Sequence, residues 1–136
     1  MVLSRRLRPL ALLLVLLPFG SCSEPPKSLR TLMLQQELAV IALEKGAGEL
    51  GAEELLKQAE RIAVVSKDDA AFSNYEKRSS VRNRVSEFRA LRERYLKETE
   101  AVHAAASQVD RDALLSSLTR LRATCDGCHV QFRPGL

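Results

Sequence analysis

Six positions near the end of the chain, Leu114, Leu118, Leu121, Cys125, Cys128 and Phe132, succeed one another at steps of 4, 3, 4, 3 and 4. That spacing places them on one face of an α-helix, and a stripe so regular has to be buried against other helices. The preceding sequence supplies the partners. A first helix is predicted over Ser28 to Lys45, with Leu29, Leu32, Met33, Val40 and Leu43 on one side and Gly46-Ala47-Gly48 as its stop. A second runs from Ala52 to Val65, where Leu55, Leu56, Ala59, Ile62 and Ala63 keep helical spacing and Glu53 and Glu54 favour the first turn. Ser66 to Ser80 is polar and reads as a loop, with room for a turn of helix near Phe72 and Tyr75. A third helix follows over Val81 to Ser107, marked by Val81, Val85, Phe88, Leu91, Tyr95, Val102 and Ala106. The fourth begins at Asp110, an N-cap residue, and ends at Pro134-Gly135.

Aromatics are 4% of the 136 residues and there is no Trp, which disfavours a sheet. A chain of this length forms one domain. The expected fold is all-α, an antiparallel four-helix bundle.

The cysteines of the stripe belong to Cys125-Asp126-Gly127-Cys128-His129. Cys-x-x-Cys-His is the attachment signature of c-type haem. Two thiols one turn apart can add to the two vinyl groups of one haem edge, and the next residue's imidazole can reach the iron. Three other readings of the pair are weaker. Structural zinc wants four ligands, and no second Cys or His pair accompanies these three residues. A redox dithiol wants a strand feeding a helix N-terminus, whereas this pair lies at a helix end. A plain disulfide, as in a structural or interaction lipoprotein, leaves His129 without a role.

On these residues the chain resembles the cytochrome c prime family, the class II c-type cytochromes. The tail Cys125-Asp126-Gly127-Cys128-His129-Val130-Gln131-Phe132-Arg133 is similar to that family's Cys-x-x-Cys-His-x-x-aromatic-basic ending. The likeness spans roughly Ser28 to Arg133. It implies one covalently attached haem c, with Cys125 and Cys128 as thioethers and His129 as the axial iron ligand. It implies that Met33 lines the distal face, either as the second axial ligand or as packing against the porphyrin. It implies that Arg133, one turn beyond His129, contacts the haem pocket. His103, at the edge of the third helix's stripe, is the weaker candidate ligand. The chain departs from the family in Ser66 to Ser80, which is short and lacks Pro. Arg30 also sits closer to the distal position than the family's usual first-helix Arg, so the propionate contacts stay open.

What the resemblance implies is an electron carrier rather than an enzyme, with iron closed by His129 and Met33. The alternative is a five-coordinate protein that binds small gases such as NO or CO. The redox partners are unknown. Relatives often dimerise through their first two helices, and Leu34, Leu38 and Ile41, which lie off the main stripe, permit a homodimer here.

The start of the chain reads as an address. Arg5, Arg6 and Arg8 precede the apolar run from Leu10 to Leu17, and Pro18-Phe19-Gly20-Ser21 follows. That run is less than half of the roughly 20 residues a membrane-spanning helix needs. Cys22 after Gly20-Ser21 resembles the lipobox cysteine of bacterial lipoproteins, which becomes acylated. The expected organisation is a signal peptide at 1–21, a tether at 22–27 and the cytochrome domain at 28–136. The expected location is the periplasm, with the lipid as the sole membrane contact. Without the three leader arginines, 18 basic residues face 17 acidic ones. Near-neutrality of that kind gives no grounds for nucleic-acid binding.

Overall fold

The computed structural model describes residues 27–132. Among them are five helices: α1 (Leu29–Gly46), α2 (Ala52–Ser66), α3 (Asp69–Glu76), α4 (Val85–Ser107) and α5 (Arg111–Phe132). The described residues contain no strand. The four long helices form the antiparallel bundle expected from periodicity. No described helix is long and apolar enough to cross a membrane.

The helix starts follow their capping residues. The Ser28 hydroxyl accepts from the Thr31 N–H and opens α1. The Asp110 carboxylate accepts from the Ala113 N–H at 3.0 Å and opens α5. The stop of α1 differs from expectation. No described glycine has a positive φ, and α1 ends on Ala47 in a right-handed conformation. Gly46 matters for space instead, because a Cβ there would lie 2.6 Å from Leu50. Arg111 of α5 then secures this corner by donating to the Ala47 and Leu50 carbonyls.

Two other boundaries depart from the sequence reading. The segment expected to be a loop contains a full helix, α3. Asp68 caps it, and Phe72 and Tyr75 are buried on its inner side. Two ion pairs, Glu76 with Arg89 and Asp69 with Arg92, fasten it to α4. The third long helix starts at Val85, four residues later than expected, because 81–84 form a turn. Val81 is still fully buried there.

The bundle is unevenly closed. α5 packs along α4, α4 along α2, and α2 along α1, whereas α1 and α5 approach one another sparsely. Across that last seam, Arg122 of α5 donates to Glu37 and Glu44 of α1. The guanidinium holds the Glu44 carboxyl below its ordinary range. Inside the bundle, the Tyr95 hydroxyl donates to Gln36 Oε1, joining α4 to α1 through two buried polar side chains. Burial pushes the Tyr95 hydroxyl well above its ordinary pKa.

Val109, between α4 and α5, is a β-branched residue at φ 55. Val109→Gly relieves that conformation and should stabilise the fold by about 1 kcal/mol, read by chemical denaturation. Tyr95→Phe should cost about 1–3 kcal/mol at neutral pH, because Gln36 loses its buried donor. Ionisation of Tyr95 is opposed only in the folded state. The wild type should therefore lose stability as pH rises past the ordinary tyrosine value of 10.0. The Phe variant lacks that loss, so denaturation midpoints of the two proteins should converge at high pH.

Candidate haem site

The last three turns of α5 carry the cysteine motif, and the stripe predicted from spacing is the buried one. Leu114, Leu118, Leu121 and Phe132 are in the core, and Cys125 and Cys128 pack against it, partly buried. A helix end leaves carbonyls without partners. Here the Tyr75 hydroxyl donates to the Phe132 carbonyl. Arg84, before α4, stacks over the Phe132 ring at 4.7 Å and donates to Gln131 at 2.9 Å. These contacts hold the motif-bearing end of α5 against α3 and the start of α4.

A small cavity of about 40 Å³ lies beside the motif. Cys125, Cys128 and His129 line it from α5, and Met33 from α1. Phe72 of α3, Phe88, Leu91, Arg92 and Tyr95 of α4, and Thr124 of α5 complete its wall. All five aromatic rings of the described residues gather at this end, with Phe72–Tyr95 centroids 5.9 Å apart and Phe88–Phe132 rings edge to face at 5.6 Å. Met33 is half-buried, and Gln36 Nε2 lies 4.0 Å from Cys125 Sγ.

Among the described residues, Cys125 and Cys128 are free thiols. Burial pushes the Cys125 thiol up to about 11 and raises Cys128 as well. Such surroundings favour a neutral sulfur over a thiolate. A thioether is neutral and apolar, so the product of haem attachment is at home here. Zinc binds thiolates, and no group of three His, Cys, Asp or Glu suited to a metal ion forms among the described residues. Two thiols on one face, an adjacent imidazole and an apolar wall are together a donor set that fits haem c.

The structure sorts the other candidates. Met33 shares the cavity with the motif. His103 instead lines a groove between α2 and α4 with Glu60 and Thr99. Arg30 is exposed on α1. Arg133, Cys22 and the leader with Arg5, Arg6 and Arg8 lie outside the described residues. Three site residues escaped the sequence reading. Gln36 interrupts the apolar stripe of α1 four residues before Val40, a gap that marks a buried polar side chain. Arg92 lies four residues after Phe88, and Phe72 sits in the segment expected to be a loop.

Comparison with known proteins agrees with this geometry. No curated protein sequence matches the chain. Among solved structures, cytochrome c′ from Thermochromatium tepidum superposes with a TM-score of 0.70 at 15% sequence identity. The match covers 78% of this chain and 91% of that one, and it shows a shared fold. A family model described as Cytochrome C′ matches residues 28–133, most of the chain. The chain therefore belongs to the cytochrome c′ family, whose cofactor is covalently attached haem c with its iron.

Proposed function

We propose that this chain is a monohaem cytochrome that carries single electrons in the periplasm. In this reading Cys125 and Cys128 hold the haem as thioethers, His129 is the proximal ligand and Met33 is the second axial ligand. The observation that carries it is the placement of Met33 on the wall of the cavity that Cys125, Cys128 and His129 also line. Bound haem supplies one-electron iron chemistry, and a His–Met ligand pair raises its potential and closes the metal to other ligands. The chain's part is to fix the ligands, bury the ring and exclude water. A tetrapyrrole is far larger than the cavity, so holding one would require the surrounding helices to part. Arg133, four residues after His129 in the sequence, is the proposed further contact to the haem pocket. Nothing in this scheme needs acid–base catalysis, which makes the protein a carrier rather than an enzyme.

Members of the family are typically periplasmic. The leader over residues 1–21 and an acylated Cys22, followed by a tether to residue 27, would hold the domain of residues 28–136 at a membrane surface. The second reading is reversible binding of NO or CO at five-coordinate iron. The apolar crowding of Phe72, Phe88 and Leu91 in the wall favours it, since such a lining admits only small molecules.

The visible spectrum of the reduced, haem-loaded protein separates the two readings. Electron transfer with Met33 ligation predicts a low-spin spectrum that carbon monoxide barely changes. Met33→Ala should then turn the protein high-spin and strongly responsive to carbon monoxide. A wild type that already shifts strongly overturns Met33 ligation and establishes the gas-binding reading.

Family members often form homodimers. We infer that this chain pairs through α1 and α2, where Leu34, Leu38 and Val64 are 61%, 70% and 69% exposed. Lys57, Glu60 and Arg61 border the same face, and a two-fold axis there can match opposite charges. Sedimentation should show a dimer for the wild type and a monomer for Leu38→Glu.

A further inference from the structure

At the aromatic end of the bundle, one buried side-chain atom has no partner. Arg92 Nε is shielded from solvent and makes no hydrogen bond within the described residues, the one side-chain nitrogen or oxygen there of which this is true. Folded proteins rarely leave such a donor unmet, and each exception calls for a reason.

The rest of the Arg92 guanidinium is firmly placed. One terminal nitrogen donates to Asp69, and the guanidinium carbon stacks 4.3 Å over the centre of the Phe72 ring. The Arg92 side chain is only 17% exposed, whereas its partner Asp69 is 85% exposed. A carboxylate so open to water is well screened and offsets the cation weakly. The free N–H therefore belongs to a fixed positive group on the wall of the cavity that Cys125, Cys128 and His129 line. The other side chains of that wall are aromatic, aliphatic or sulfur-bearing, apart from His129, the Tyr95 hydroxyl and Thr124, whose hydroxyl donates to the Arg120 carbonyl. The Tyr95 hydroxyl is already bonded to Gln36. What such a donor lacks is an anionic acceptor, and a planar guanidinium is suited to a carboxylate. Haem brings two carboxylates on its propionate arms.

We propose that Arg92 anchors a propionate carboxylate of the bound haem through its buried Nε–H. The assignment rests on the haem reading of Cys125 and Cys128. Arg92 is then a positioning residue with an electrostatic effect. A fixed cation beside the haem disfavours the ferric state relative to the ferrous one and raises the reduction potential. Asp69, open to water, offsets that effect only slightly.

The test uses haem-loaded wild type, Arg92→Met, Arg92→Lys and Asp69→Asn, with covalent haem first verified as the pyridine haemochrome. Absence of attached haem in the wild type overturns the haem reading, and this inference with it. With haem attached, Arg92→Met should move the propionate bending band in the resonance Raman spectrum and lower the potential. Arg92→Lys should restore much of the potential but not the band, because the charge remains and the Nε–H does not. Asp69→Asn removes the competing acceptor of Arg92 at an exposed position and should move the same propionate band, so it decides the matter if the Arg92 variants do not fold. A propionate band unmoved in both Arg92 variants overturns the assignment while leaving the haem reading intact. So does a propionate band unmoved by Asp69→Asn.

Discussion

The apolar stripe of α5 has to serve two purposes along one line of residues. Its first half, Leu114, Leu118 and Leu121, buries the helix in the bundle. Its second half presents two sulfurs to the interior at the spacing of one helical turn. Because both halves share a register, a shift that displaced the leucines would also turn the cysteines away from the cavity. The clamps at the helix end matter for this reason. Tyr75 on the Phe132 carbonyl and Arg84 on the Phe132 ring keep the last turns from fraying, where a helix is ordinarily least secure.

The opposite wall is held more lightly. α1 is bound to α2 by packing but meets α5 through a few contacts and the Arg122 clasp with Glu37 and Glu44. Exposed ion pairs contribute little to stability, so the clasp sets the alignment of the seam more than its strength. The buried Tyr95–Gln36 bond is of another kind, since breaking it strands a polar atom away from water. Together they define how α1 presents Met33 to the cavity while leaving the seam between α1 and α5 the least consolidated part of the molecule.

Much of this was legible in the sequence, and for identifiable reasons. Period and capping located α1, α2 and α5 closely, because Ser28, Asp110 and the leucine stripes act through local geometry. The cysteine motif was legible because its spacing is dictated by covalent chemistry and its register by the same stripe. α3 was not, since eight residues with few large apolar side chains carry little periodicity, and Phe72 and Tyr75 gain their meaning from rings elsewhere in the chain. The start of α4 was misplaced because Val81 is buried from a turn, and burial alone does not distinguish a turn from a helix. Gln36 and Arg92 were hidden for a related reason. A polar residue on an apolar stripe shows its role only once its partner, or the lack of one, can be seen in space.

The division between α5 and α1 has an evolutionary consequence. The thiols and the neighbouring imidazole are clustered on one helix near one end of the chain, and the residue facing them comes from a helix near the other. Drift in α1 can exchange a thioether for an aliphatic or a polar group without disturbing the register that keeps the sulfurs inward. On the proposed reading, a bundle of this type can diversify its reactivity by single steps in its first helix, while the last helix must keep the register that turns both thiols toward the haem.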